Sequence, residues 1–110
     1  MEEFVKGQIV VVPFPFSDLT DLKKRPAMVI SSLEGNNLIL AQITSRYRTQ
    51  KYSLDIKIKD FEKGNLHIDS YVNCDKIFTL DKNIILNSVG ILKAEKTYKI
   101  VSKIIEIIKN

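Results

Sequence analysis

Arg25 is the last of three consecutive cations, Lys23-Lys24-Arg25, and stands directly before Pro26 and an apolar run in the segment KKRPAMVISS. A guanidinium is always charged, and its planar fork can hold two oxygens of one phosphate, which an ammonium cannot do. Proline disfavours the α region for the residue before it, so Arg25 is held extended at the lip of the strand that follows, and a rigid strand keeps its aim. Lys23 and Lys24 add a positive field that draws in a polyanion without choosing its sequence. A solvated charge run in a loop has the same composition. A second cationic stretch, SRYRTQKY at 45–52, alternates Arg46, Arg48 and Lys51 with Tyr47 and Tyr52. Cations that track phosphates, interleaved with aromatic faces on which unstacked bases lie, are what single-stranded nucleic acid requires, although an ordinary exposed loop can look the same.

Other chemistries have less to work with. The chain holds one histidine, His67, and one cysteine, Cys74. These cannot supply the usual zinc shell, and the carboxylates are scattered rather than spaced as ligands. Gly-rich phosphate loops and internal repeats are absent from the sequence, so the expectation is a protein that works without a bound cofactor or metal. His67 titrates near neutrality and could act as a general base, but it follows a turn, where a surface histidine is the simpler reading. Cys74 lies in an apolar strand and reads as core rather than nucleophile; a lone cysteine excludes an internal disulfide and fits a reducing compartment. No apolar run approaches the roughly 18 residues of a membrane span, and MEEFVKGQIV lacks the layout of a signal peptide, so a cytoplasmic location is expected. Lys and Arg outnumber Asp and Glu by 17 to 13, a net charge of +4. That is a mild bias toward polyanions, and it also suits a basic surface kept for solubility.

The elements that must position these residues are mostly strands. With 110 residues and no linker-like stretch, the chain reads as one domain over 1–110. GQIVVVPF (7–14) is a β-branched run that Pro13 and Pro15 end or place at a sheet edge. SDLTDLKK (17–24) reads as a polar loop. AMVISS and NLILAQITS flank LEGNN and predict an antiparallel hairpin, which brings Ala27 and Thr44 to the same end. SRYRTQKY reads as a loop, SLDIKIKD (53–60) as a strand with one wet face, and EKGN (62–65) as a turn. A further strand is expected around Ser70 to Cys74, with a tighter element after it. In KAEKTYKIVSKIIEIIKN, Tyr98, Val101, Ile105 and Ile108 share one helical face with Ile100, Ile104 and Ile107 beside it, which predicts an amphipathic helix whose whole apolar stripe packs on the core. The predicted architecture is mainly β: a small, mostly antiparallel, barrel-like sheet closed by a C-terminal helix.

In order and spacing, GQIVVVPFPF, KKRPAMVIS, ITS, DSYVNCDKIFTLD and SVGIL before a final helix resemble the PemK/MazF family of toxin endoribonucleases from bacterial type II toxin–antitoxin systems. The resemblance covers nearly the whole chain, and its most specific pieces are Arg25-Pro26 leading into a strand and Ile43-Thr44-Ser45 closing the next. It implies an SH3-like barrel, a homodimer, metal-independent cleavage of single-stranded RNA at chosen short sequences, and an antitoxin partner, expected to be acidic. The family's catalytic positions carry over onto Arg25, Thr44 and Asp75, with Lys23, Lys24, Ser45, Arg46, Tyr47, Arg48 and Lys51 as the expected RNA-binding residues. Asn73 and Phe78 depart from the pattern, standing where relatives often have arginines near the RNA. In such a reaction the 2′-OH of the substrate is the nucleophile; Arg25 would clamp the phosphate, Thr44 would donate to it, and Asp75 would accept the 2′-OH proton or orient Arg25. A gyrase-poisoning toxin of the CcdB type relies on a tryptophan near its C-terminus, and this chain has none. A non-catalytic RNA- or protein-binding barrel of the same ancestry is the other reading.

Overall fold

Apolar residues at alternate positions make strands here because the sheet has two faces to bury, and its strands alternate between them. The computed structural model describes residues 3–14 and 23–110. The strands are β1 (Gln8–Phe14), β2 (Lys23–Ser32), β3 (Asn37–Thr44), β4 (Ser53–Ile56), β5 (Phe61–Gly64), β6 (Ser70–Asp81) and β7 (Asn87–Leu92), followed by helix α1 (Ala94–Lys109). They form one curled antiparallel sheet in the order β4-β6-β3-β2-β1-β7-β5. The long neighbours β1, β2, β3 and β6 therefore lie in its middle.

On one face Ile9, Met28, Ile30, Ala41, Ile43, Val72 and Cys74 pack with Ile100 and Ile104 of α1. On the other face Val10, Val12, Ala27, Val29, Leu38 and Leu40 form a second apolar cluster with Phe4, against which Phe14, Phe78, Leu80 and Ile85 pack. The register ties this alternation together: Val10 pairs with Ala27, Ala27 with Gln42, and Gln42 with Asn73. Side chains directly opposite share a face, so the apolar pair Val10–Ala27 runs on across the strands into the polar pair Gln42–Asn73.

Several expectations need correction. Lys23 and Lys24 are not loop residues; they open β2, opposite Phe14 and Pro13. The rest of the expected loop, 17–22, lies outside the described residues. The alternation in SLDIKIKD outlasts its strand. After Ile56 the Lys57 N–H donates to Asp60 Oδ2 at 2.9 Å, and Ile58–Asp60 wind into a 3-10 turn, which leaves Ile58 72% exposed. EKGN is mostly not a turn, because Phe61–Gly64 pairs with β7. Its Gly64 has φ +71 and lies so close to the neighbouring strand that an added Cβ would sit 2.0 Å from the Val89 carbonyl oxygen; one on Gly90 would sit 2.4 Å from that of Lys63. The strand after Ser70 is longer than expected, and the tighter element is a 3-10 turn at Lys82–Ile84. The helix buries Thr97, Ile100 and Ile104, whereas Tyr98, Ile105 and Ile108 of the predicted core stripe face outward. Among the described residues no helix is long and apolar enough to cross a membrane.

Candidate functional site

The second face of the sheet changes character at one end. Along β2 and β3 it runs apolar through Val29, Ala27 and Leu40, then continues as Arg25 on β2 and as Gln42 and Thr44 on β3. Arg25 pairs with Val12 on β1, Thr44 with Tyr71 on β6, and Gln42 with Asn73. These residues floor a cleft of about 530 Å³ lined by Arg25, Gln42, Thr44, Asn73 and Lys76 and by the segment after β3, Ser45 to Arg48. Pro26, itself in β2 and half-buried, keeps Arg25 extended at the cleft wall, as its sequence position implied.

Local hydrogen bonds shape the segment above the floor. The Arg46 N–H donates to Thr44 Oγ1 at 3.1 Å, an ST-turn that bends the chain away from the strand. That bond uses the hydroxyl oxygen and leaves its proton for another acceptor. Tyr47 packs edge-on against Tyr71, with ring centroids 5.5 Å apart. Arg48 reaches across to form an ion pair with Asp75.

Asp75 owes its place to an irregularity in β6. Gln42 pairs with Asn73 but Ala41 pairs with Ile77, so Cys74, Asp75 and Lys76 have no partner on β3. Such a bulge re-aims side chains. Here it turns Lys76 into the cleft and leaves Asp75 outside its lining, joined to it through Arg48. The Cys74 N–H donates instead to the Tyr52 carbonyl at 2.8 Å.

The cleft thus gathers Arg25, Thr44, Ser45, Arg46, Tyr47 and Arg48 of the residues singled out in the sequence. Lys23, Lys24 and Asp75 are not among its lining, nor is Lys51, whose ammonium lies 5.4 Å from the centroid of the Tyr52 ring. His67 stands in a loop at φ +64, exposed, beside a separate groove near Ile58 and Ile68. Phe78 is half-buried against the second apolar cluster, its ring edge-on to Phe14 at 4.9 Å. Gln42 and Lys76 were missed in the sequence. Gln42 shares its strand face with Thr44 and so was open to inference; Lys76 depends on the bulge, which no residue type announces. Burial pushes the Cys74 thiol up to about 11, against a lowering by Lys103 and a further raising by Asp75. Buried and neutral, it is core and no nucleophile. Among the described residues no three His, Cys, Asp or Glu gather as a metal shell would.

The family model for PemK-like, MazF-like toxins of type II toxin–antitoxin systems matches residues 5–108. The chain belongs to this family. Its fold is that of solved MazF-type toxins. One match is an endoribonuclease in complex with its cognate antitoxin from Mycobacterial species, 17% identical, covering 97% of this chain and 96% of that one at a TM-score of 0.78. Another is the MazE–MazF structure from Deinococcus radiodurans, 16% identical, covering 94% of each chain at 0.76. The Mycobacterium tuberculosis toxin MazF-mt6 is 18% identical and covers 91% of this chain and 93% of that one at 0.70. Comparison with proteins of curated function finds no match. As a PemK/MazF-like toxin the chain has its cleft on the second sheet face, away from the helix.

Proposed function

We propose that this toxin is an endoribonuclease that cuts single-stranded RNA, with the cleft around Arg25 and Thr44 as its active site. The observation that carries the reading is the convergence, in one cleft, of a strand-held guanidinium, a hydroxyl with its proton to give, three further cations in Arg46, Arg48 and Lys76, and an exposed aromatic, Tyr47. Each has a task in RNA cleavage. The substrate's 2′-oxygen attacks the adjacent phosphorus as its proton leaves to a base, and the bond from phosphorus to the 5′-oxygen breaks as that oxygen takes a proton. The products are a 2′,3′-cyclic phosphate and a 5′-OH. Arg25 clamps the non-bridging oxygens as charge grows on them, and Thr44 donates to one of them. Arg46, Arg48 and Lys76 hold the flanking phosphates, and Tyr47 offers a ring to an unstacked base. Asp75 serves by holding Arg48; to act as the base it would first have to release it.

The substrate carries its own nucleophile, so the chemistry proceeds without a metal ion. Incubation of the pure protein with unstructured RNA in excess EDTA should yield cyclic phosphate and 5′-OH ends and leave DNA intact. Loss of cleavage on chelation, with recovery on adding Mg²⁺, would overturn metal independence; no cleavage under either condition would favour a non-catalytic binding barrel. The antitoxins in the solved mycobacterial and Deinococcus complexes support a cognate antitoxin for this chain too. An acidic segment that folds on binding fits the net charge of +4 and the cations of the cleft.

A further inference from the structure

The floor of the cleft holds a group that phosphate chemistry does not use. Asn73 is 2% exposed. Its Nδ2 donates to Gln42 Oε1 at 3.1 Å, while its Oδ1 is buried without a hydrogen-bond partner. Across the sheet its other neighbour is Ser53, whose hydroxyl is already given to the Thr49 carbonyl. A buried amide oxygen left unpaired costs folding free energy, and a leucine of similar volume would avoid that cost. The residue that carries the cost lines the cleft beside Arg25, Thr44 and Lys76. A buried polar group without a partner calls for an explanation, and a role at the site it lines is one.

We propose that Asn73 and Gln42 form a nucleobase-reading site on the cleft floor, selective for a base that carries an exocyclic amino group, that is adenine, cytosine or guanine against uracil. One hydrogen bond joins the two amides. With one Asn73 N–H committed to Gln42 Oε1, the pair offers an acceptor, Asn73 Oδ1, and the donors of Gln42 Nε2. Adenine presents N6–H₂ beside a ring nitrogen acceptor, and cytosine presents N4–H₂ beside N3. In both, the donor is the atom that projects, as a recessed acceptor requires. Guanine offers its N2–H₂ in the same way, whereas the exocyclic groups of uracil are both carbonyl oxygens, O2 and O4, which sets acceptor against acceptor. Oδ1 carries almost no exposed surface, so the base reaches it only when the groups that cover it move aside. The cations around the floor position the backbone and are blind to sequence, which leaves discrimination to the amides.

The inference rests on RNA as the ligand of this cleft, and its test avoids cleavage as a readout. Fully 2′-O-methylated oligouridines, which lack the attacking hydroxyl, are labelled and given a single A, C, G or U at each position in turn. Their binding to the wild type, Asn73→Leu and Gln42→Met is read by fluorescence anisotropy, beside thermal melts. At one position the wild type should bind A, C or G at least about 10-fold more tightly than U. In Asn73→Leu that advantage should collapse to within 3-fold, with a melting temperature equal to or above the wild type because the orphaned oxygen is gone. Gln42→Met reports on the same pair should Asn73→Leu fail to fold. A preference that survives in the folded variants, a wild type indifferent to the base, or a preference for U would overturn the proposal. Failure of the protein to cut unmodified RNA would count against the ribonuclease reading alone, since base selectivity in binding stays measurable.

Discussion

Arg25 and Thr44 make opposite demands on a substitution. If Arg25 acts through its fork, Arg25→Lys keeps the charge and loses the bidentate geometry, so cleavage should fall almost as far as in Arg25→Ala, roughly 100-fold or more in kcat. Thr44→Ser keeps the hydroxyl and should retain much activity, while Thr44→Val keeps the shape and should behave like Thr44→Ala. Neither residue is fully buried, so melting temperatures should move little; wild-type turnover in a folded Arg25→Lys or Thr44→Val would remove that residue from the reaction. Cys74 makes a separate, pH-dependent prediction. Its thiol is held near 11 by burial, whereas an unfolded thiol titrates at about 8.5. Between those values the unfolded chain gives up a proton that the folded chain keeps, so stability is fully present below the unfolded pKa and declines as pH rises through the folded one. Melts across pH 8 to 11 should show a steeper loss in the wild type than in Cys74→Val, and iodoacetamide at pH 8 should label the thiol only after denaturation.

At the scale of elements, the bulge in β6 and the segment after β3 act as a pair, joined by Arg48 and Asp75. The ion pair is partly exposed and should add little to global stability. Its effect should appear in binding. Asp75→Asn removes a carboxylate that competes with phosphate for Arg48, so RNA affinity at low salt should rise; Arg46→Ala and Arg48→Ala should flatten the slope of log affinity against log salt. Single-turnover cleavage at saturation should stay near wild type in Asp75→Asn, and a loss of 100-fold would instead make Asp75 the base. The same elements show what the sequence could and could not disclose. Strands β1, β2 and β3 and the helix were legible because β-branched runs and a 3.6-residue period leave few alternatives. Strand β4 was over-extended because Ile58 continues the alternation while the Asp60 carboxylate, by capping Lys57, turns the backbone. The helical period assigns Tyr98, Ile105 and Ile108 to the core stripe because periodicity reports which residues share a face and not what covers that face. At the site, Arg25 and Thr44 were legible through strand ends and Pro26, while Lys76 and the isolation of Asp75 follow from a bulge visible only once Ala41 is seen to pair with Ile77.

For the molecule as a whole, the two apolar faces of one sheet leave the cleft as the polar end of the second face, so a ligand there meets a surface backed by core packing. The homodimer expected from the family would place two such clefts in one particle. Sedimentation at micromolar concentration should report twice the 12.6 kDa mass of the chain, and a monomer at that concentration would count against it. Mixing with an acidic antitoxin segment should quench RNA binding and induce helix or strand signal in the segment, with affinity that weakens as salt rises.

The seam where Gly64 meets Gly90 has a consequence for genetics. Any side chain at either position would drive a Cβ into the opposing backbone, so a single base change there should undo the protein as surely as one at Arg25. If bacteria are made to express this toxin without its antidote, the survivors should carry two kinds of lesion. Colonies altered at 25 or 44 should still accumulate the protein in the soluble fraction, detectable by immunoblot, while those altered at 64 or 90 should have lost it to proteolysis or inclusion bodies. Recovery of abundant soluble protein from glycine-altered survivors would show that the seam can open without cost to the barrel.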